Sequence, residues 1–363
     1  MTFNFVLWEA SPELFSIGSL TVRWYGLLFA LGFLIGQQIL IWIYKTEGKS
    51  EKYVETLTVY MVVATILGAR IGHCLFYEPE YYLTHPLDIL KIWEGGLASH
   101  GAAAGILIAI YLYSKKQTDQ SYLYVLDRMV ITIALAGCLI RLGNLMNSEI
   151  IGKPTSFRGG FIFARSMEDL LDKTYKNSIY DIEMSLNGKD SLDEAGRTIA
   201  GVDLSFEVPG EENNEKEIKA FVEGGIKKTI EREYNEHIVY AEHPPIKIEK
   251  LEGEKAQKVT VGIWGVPRHP SQLYEAISSF LLFLFLFFGV YNRKREKTPE
   301  GRIFGFFVVI LFSLRFIYEY FKEPQVEFEQ TMSYNMGQLL SIPLIIAGLF
   351  VLINSYRKKN ELS

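Results

Sequence analysis

The chain has 363 residues, enough for two or three ordinary domains, and 49% of them are hydrophobic. Its formal charge of −5 at neutral pH argues against a nucleic-acid binder, which normally carries a basic surface. Cys74 and Cys138 are the two cysteines, both lie inside apolar runs, and they do not make a disulfide framework.

The segment Met1 to Gly18 has no Lys or Arg ahead of its first apolar run. It lacks the positive n-region of a cleavable signal peptide, so the mature chain is expected to begin at or near Met1. A membrane-spanning helix needs roughly 20 mostly apolar residues. Seven stretches qualify in chain order: Leu20–Tyr44, Tyr53–Tyr77, Gly95–Tyr113, Leu123–Met146, Gln272–Tyr291, Gly301–Phe321 and Met336–Tyr356. The third is the weakest, since it opens with a glycine-rich, histidine-bearing segment. Between the fourth and fifth lies a charged stretch from about Lys153 to Val266. The predicted fold class is therefore an all-α polytopic membrane protein of seven transmembrane helices with an α+β soluble insertion. The predicted organisation is a membrane domain over 1–152, the insertion over 153–266 and a second membrane portion over 267–363.

Within the insertion, Val202, Leu204 and Phe206 alternate with Asp203, Ser205 and Glu207, the pattern of a half-buried strand. Asn214 followed by Glu217 suggests a helix cap, and Ile218, Phe221, Val222 and Ile226 then repeat at helical spacing. A second β-like stretch runs from His237 to Trp264.

Positive charge in short loops sets orientation. Lys45, Lys49 and Lys52 follow the first span, Lys115 and Lys116 the third, Arg293, Lys294, Arg295 and Lys297 the fifth, and Arg357, Lys358 and Lys359 the seventh. This alternation predicts an external amino terminus, an external insertion and a cytoplasmic carboxyl terminus.

An ionisable group at the centre of a bilayer costs about 2.5 kcal/mol or more, so such groups usually face a cavity or a partner. By the predicted orientation, Tyr25, Arg70, His73, His100, Arg141, Asn144, Glu149, Arg315 and Glu319 all fall toward the outer face. Arg268-His-Pro-Ser-Gln-Leu-Tyr-Glu275 enters the fifth span from that side. Each residue also has a structural reading. Arg70 and Arg315 suit snorkelling to the interface, and Arg315 with Glu319 suits an i,i+4 ion pair. His100 suits a packing histidine, and Tyr25 beside Trp24 an interfacial anchor. The pairs Gly32/Gly36, Gly68/Gly72, Gly101/Gly105 and Gly301/Gly305 read as close helix packing. Leu135-Ala-Gly-Cys138 matches a lipobox, but it sits inside the fourth span without a positive n-region, and Cys138 is read as a packing residue. Arg70-Ile-Gly72 with Glu78 echoes Arg141-Leu-Gly143 with Glu149, a short match compatible with a parallel duplication.

Several segments taken together resemble the prolipoprotein diacylglyceryl transferase family. They are Arg23-Trp-Tyr-Gly26, Gly95-Gly-Leu-Ala-Ser-His-Gly101, Arg141-Leu-Gly-Asn-Leu-Met-Asn-Ser-Glu149 with Gly152, the Arg268–Glu275 segment, and Gly301-Arg-Ile-Phe-Gly305 followed by Arg315 and Glu319. Their order and spacing carry the resemblance, which covers nearly everything outside the insertion. It implies a bacterial inner-membrane enzyme that moves a diacylglyceryl group from phosphatidylglycerol to the lipobox cysteine of a preprolipoprotein signal peptide. A thioether forms and glycerol 1-phosphate leaves. Membrane lipids are the other expected partners, nucleic acid is not one, and no metal or organic cofactor is expected.

Under that resemblance the residue types fit the chemistry. The attacking thiolate needs a base, and His100 is the candidate. The departing phosphate ester needs cationic support, for which the arginine fork is suited, and Arg141 and Arg315 are the candidates. Asn144 orients the headgroup, Glu149 and Glu319 fix the arginines or bind glycerol hydroxyls, and Tyr25 meets the phosphate or lines the lipid path. Arg70, Arg268, Tyr274 and Glu275 complete the expected substrate-binding set. Four positions depart from the family pattern: Ile140 where glycine is usual, Leu311 for tyrosine, Lys322 for arginine and Gln325 for aspartate. A polytopic transporter of a lipid or anionic solute is the competing reading, but it predicts polar groups on both sides of the bilayer. A receptor-like protein whose insertion binds a partner accounts for the insertion and not for the Arg/His/Asn set.

Overall fold

The structure is a computed structural model that describes residues 5–18, 20–92, 95–117, 119–209, 215–234, 236–241, 244–251, 256–323 and 332–361. In chain order the strands and helices are β1 (Val6–Trp8), β2 (Glu13–Ile17), β3 (Leu20–Arg23), α1 (Trp24–Thr46), α2 (Lys52–Phe76), α3 (Pro79–Thr84), α4 (Ser99–Lys116) and α5 (Tyr122–Met146). There follow β4 (Phe161–Phe163), α6 (Arg165–Tyr175), β5 (Tyr180–Leu192), β6 (Thr198–Pro209), α7 (Glu215–Phe221), α8 (Lys227–Glu233), β7 (Ile238–Val239), β8 (Ile246–Lys250) and β9 (Ala256–Gly265). The chain closes with α9 (Ser271–Leu284), α10 (Asn292–Lys294), α11 (Arg302–Tyr318) and α12 (Met336–Glu361). It divides into two compact units, one of Met1–Leu27, Arg141–Glu275 and Tyr318–Ser333, the other of Leu28–Ile140, Ala276–Ile317 and Tyr334–Ser363.

Among the described residues, five helical stretches are long and apolar enough to cross a membrane: Trp24–Thr46, Lys52–Phe76, Tyr122–Met146, Ser271–Lys297 and Met336–Arg357. They make the chain a polytopic membrane protein. The other two expected spans are helical but do not join the five. α4 carries Ser99 and His100 at its start and Lys115 and Lys116 at its end, and α11 has only 17 residues.

In the first unit, Leu20–Arg23 is not the opening of the first span as the hydropathy predicts. Leu20, Thr21 and Val22 suit a pleated strand, and β3 pairs antiparallel with β2 through Ile17↔Leu20, Ser16↔Thr21 and Phe15↔Val22. The alternation at Val202, Leu204 and Phe206 does form a strand. β6 is central in a five-stranded sheet of order β5-β6-β9-β7, with β8 also paired to β9. The helical spacing at Ile218 gives α7 and α8, joined by a π-helical turn over Val222–Ile226, while Asn214 lies outside the described residues. Val202, Leu204, Phe206, Val259, Val261 and Ile263 from the sheet meet Met167, Leu171, Ile218, Val222, Ile226 and Ile230 from the helices in one buried core. β1 pairs parallel with β4, which recruits the amino terminus to this unit.

The second unit is a helical assembly cored by Ile43, Tyr44, Leu57, Ile110, Val125, Ile131, Leu286 and Ile303. The small-residue pairs act at its closest contact. A Cβ on Gly68 would come 2.5 Å from the Gly101 carbonyl, and one on Gly72 would come 2.6 Å from the Gly101 Cα. α2 and α4 therefore meet almost backbone to backbone. Two buried charges that the sequence reading passed over also sit here. Asp127 accepts bonds from Gly301 N at 2.8 Å and Phe304 N at 2.7 Å, satisfying the orphan donors at the start of α11. Arg128 pairs with Glu47 at 2.9 Å, both side chains being 1% exposed.

Candidate active site

In the first unit the site is assembled from the last turn of α5, the first turn of α9 and the segment after α11. α5 stops because Ser148 and Ile150 adopt φ of 52° and 59°. For a β-branched residue such as Ile150 that is an outlier. The resulting turn is tied internally by Glu149 N to Asn144 O at 3.0 Å and Ser148 N to Leu145 O at 3.0 Å. The Glu149 carboxylate accepts from Asn144 Nδ2 at 3.1 Å and from Asn147 Nδ2 at 3.0 Å.

α9 opens after Pro270, and three of its first five side chains reach the α5 end. Ser271 Oγ donates to Ile150 O at 2.7 Å, Gln272 Nε2 donates to Glu149 O, and Glu275 pairs with Arg141 Nε at 2.8 Å. The other Glu275 oxygen meets Lys322 Nζ at 2.5 Å, and Lys322 also approaches Glu319 at 3.4 Å. Two cations and two carboxylates thus alternate in one network whose side chains range from 7% to 25% exposed. Tyr25 lies against Gly143, where a Cβ would come 2.9 Å from its ring. Gly152 bridges to Lys322 in antiparallel fashion, and a Cβ there would strike the His269 and Phe321 carbonyls. Only glycine fits that crossing.

Arg268 is fully buried, with Nη1 donating to Gly152 O at 3.2 Å, Nη2 to Glu236 O at 2.6 Å, and an ion pair to Glu323. Its guanidinium is directed at protein partners. Burial pushes the neighbouring His237 down to about 4, the Arg268 charge adding to the effect and Glu323 opposing it. Tyr274 Oη meets His269 Nδ1 at 3.1 Å, and burial lowers the His269 pKa.

Arg70, His100 and Arg315 belong to the second unit. Arg70 is buried and donates to Ile89 O at 2.9 Å, Gly95 O at 2.6 Å and Asp88 O at 2.6 Å, with its guanidinium over the Tyr82 ring. It clamps the loop that leads into α4. Gly96 in that loop has φ of 69°, and a Cβ on it would collide with the His73 ring and Arg70 Nη1. His100 follows in the first turn of α4, exposed, its ring 5.0 Å from Phe76 and 5.9 Å from Tyr77 between centroids. Arg315 is an exposed residue near the end of α11.

Of the expected residues, Arg141, Asn144, Glu149, Glu275 and Glu319 are brought together in the first unit, with Tyr25, Arg268 and Tyr274 in the same unit. Lys322, Ser271, Gln272 and Asn147 were not singled out from the sequence as site residues, yet they carry its contacts. Ser271 and Gln272 lie inside the Arg268–Glu275 motif, so their position was available even though their partners were not. Among the described residues, no group of three or more His, Cys, Asp or Glu is placed to hold a metal ion.

A family model described as prolipoprotein diacylglyceryl transferase matches residues 12–354. The phosphatidylglycerol–prolipoprotein diacylglyceryl transferase of Tolumonas auensis is 34% identical over 354 residues, covering 98% of this chain and 99% of that protein. Proteins of the same name from Chloroherpeton thalassium and Porphyromonas gingivalis are 34% and 32% identical, covering 98% and 97% of this chain and 97% and 95% of their own lengths.

Proposed function

Because the chain belongs to the prolipoprotein diacylglyceryl transferase family, we propose that it moves the diacylglyceryl group of phosphatidylglycerol onto the lipobox cysteine thiol of preprolipoproteins. The observation that carries the reading is the Arg141–Glu275–Lys322–Glu319 network beside the Asn144–Glu149 pair. It offers cations and hydroxyl acceptors together, as a phosphoglycerol headgroup requires.

In this reading His100 takes the thiol proton, and the thiolate sulfur attacks the diacylglyceryl carbon that bears the phosphate ester oxygen. The new C–S bond forms as the C–O bond breaks, and its electron pair leaves with glycerol 1-phosphate. Arg141 and Arg315 meet the phosphate charge, which is present in the ground state and grows on the departing oxygen. Glu275 takes the Nε of Arg141 and so aims its two terminal nitrogens, the part of the fork that pairs with phosphate oxygens. Tyr25 lines the headgroup site, with Glu319 and Tyr274 at its border. Arg70 and Arg268 support the site through the loops they clamp.

The same reading places seven helices in the bacterial inner membrane, with α4 and α11 completing the set. The amino terminus and the 153–266 insertion are outside, and the carboxyl terminus is cytoplasmic. Single cysteines at Ser191 and Glu194, both exposed, test the topology. Labelling of intact cells whose outer membrane alone is opened, by an impermeant thiol reagent, supports it; protection until the inner membrane is breached overturns it. The activity is tested by mixing purified protein, phosphatidylglycerol and a lipobox peptide and weighing the peptide.

A further inference from the structure

His100 stands in a poor place for a base. α4 opens at Ala98 without a side-chain cap, and its first turn holds no acidic residue. The unbonded N–H groups there carry the positive end of the helix dipole, which disfavours a cation. A ring that accepts a proton becomes a cation at that end. Among the described residues the His100 side chain has no hydrogen-bond or ion-pair partner. The charged and titratable groups of α2 and of the loop into α4 are committed elsewhere. Arg70 serves the loop carbonyls, His73 faces Glu78 at 3.9 Å, Lys91 pairs with Asp88 at 2.7 Å, and His85 meets Thr84 at 2.9 Å.

What meets the ring is aromatic. Phe76 lies edge to face with His100, 5.0 Å between centroids at 86°, and Tyr77 is tilted by 38° at 5.9 Å. An aromatic face carries partial negative charge and attracts a cation within about 6 Å of its centroid. Tyr77 is itself held. His73 stacks on it at 5.5 Å and 21°. His73 in turn is fixed by Tyr82, edge-on at 6.2 Å, and by Gly96, where a Cβ would come 2.6 Å from the imidazole. Phe76 and Tyr77 are 72% and 64% exposed. Interfacial anchoring accounts for that exposure, but not for two rings placed against the one histidine of this corner that lacks a polar partner.

We propose that Tyr77 and Phe76 are positioning residues for the transfer, holding the His100 ring and stabilising the positive charge that forms on it when the thiol proton arrives. The inference rests on the base role given to His100 above and adds what makes that role workable at the start of a helix. Neither ring takes the proton. It ends on His100, and the thiolate goes on to the diacylglyceryl carbon. One aromatic face at a partly exposed site changes the affinity for a cation by about three- to tenfold.

The test is the pH dependence of kcat/KM for lipidation of a lipobox peptide by the full chain in nanodiscs, with wild type set against Tyr77→Leu, Tyr77→Phe and Phe76→Leu. Leucine keeps an apolar anchor without an aromatic face, whereas phenylalanine keeps the face without the hydroxyl. With a ring lost, the protonated form of His100 loses support, so the proton leaves at lower pH and is accepted less well. Tyr77→Leu should therefore move the acid limb down by about 0.5–1 pH unit and lower the plateau about three- to tenfold, with little change in the KM for lipid. Tyr77→Phe should keep the wild-type limb. Rings that only anchored the end of α2 would change stability or lipid KM and leave the limb in place. Phe76→Leu should act in the same direction, and it decides the matter if Tyr77→Leu does not fold. An NMR titration of ¹³C-labelled histidine, with His100→Ala assigning the signal, should show the same movement without any turnover. Folded leucine variants with the wild-type limb and the wild-type His100 titration overturn the inference. Full activity of His100→Ala at neutral pH instead overturns the base role, and the inference with it.

Discussion

Glu275→Gln is the most informative single change in the charged network. The substitution keeps shape and removes the anion that lies between Arg141 at 2.8 Å and Lys322 at 2.5 Å. Lys322 is 7% exposed and Glu275 11%, so solvent does not restore what is lost, whereas Arg141, at 25%, recovers part of its hydration. Breaking a buried pair by removing one partner costs about 3–5 kcal/mol, and the exposure of Arg141 sets the expectation near the lower figure. If the aim of Arg141 at the phosphate depends on Glu275, about 3 kcal/mol at the transition state corresponds to roughly a hundredfold loss of kcat/KM. The assay is peptide lipidation followed by mass spectrometry, with the lipid concentration varied. Lys322→Met should be strongly non-additive with Glu275→Gln, because both remove the same contact. A folded Glu275→Gln protein within threefold of wild type would refute this coupling.

His100→Ala should lower turnover by about 10²–10⁴-fold and regain part of it as pH rises and more substrate thiol ionises unaided. A pH–rate series with no such rescue removes His100 from the base role. Arg70→Ala should act through the loop, exposing the Asp88, Ile89 and Gly95 carbonyls that it satisfies, and should lower Tm by several degrees, which thermal unfolding in detergent measures; an unchanged Tm contradicts the clamp. In the soluble part, His237 is held down to about 4, by burial first, so its neutral form favours folding above the unfolded value near 6.5. That contribution declines as pH falls from about 6.5 to 4. Burial, with Glu9 adding to it, raises Glu168 to about 7, so that contribution runs the other way and declines as pH rises from about 4.5 to 7. Glu168→Gln should therefore stabilise more at pH 7.5 than at pH 5, and His237→Gln should flatten the acid side; equal effects at both pH values would contradict the two assignments.

Five of the seven expected spans were legible because about twenty mostly apolar residues in a row leave few alternatives. The strand at Val202–Phe206 was legible from its strict alternation. The β2–β3 hairpin was not, because the alternation of Leu20 and Val22 with Thr21 and Arg23 lasts only four residues and runs straight into the apolar stretch of α1. The arginines illustrate a second limit. Arg70 and Arg141 occur in matching Arg–X–Gly contexts, yet one is enclosed by loop carbonyls and the other pairs with a carboxylate from α9. Sequence context fixes neither the partner nor the direction of a long side chain. Lys322 looked like a weakened substitute for arginine, and it proves to be the link between Glu275 and Glu319. Its importance depends on long-range contacts that no local pattern encodes. The same is true of Gln272, whose partner Glu149 is far away in sequence.

The most direct measurement is the mass of a lipobox peptide after incubation with the purified protein and phosphatidylglycerol of defined acyl chains. The expected result is a mass increase equal to one diacylglyceryl group, located on the cysteine, with glycerol 1-phosphate released in equal amount. Replacement of the peptide cysteine by serine should abolish it. No mass change with folded protein, or modification elsewhere than on the cysteine, would contradict the assigned reaction.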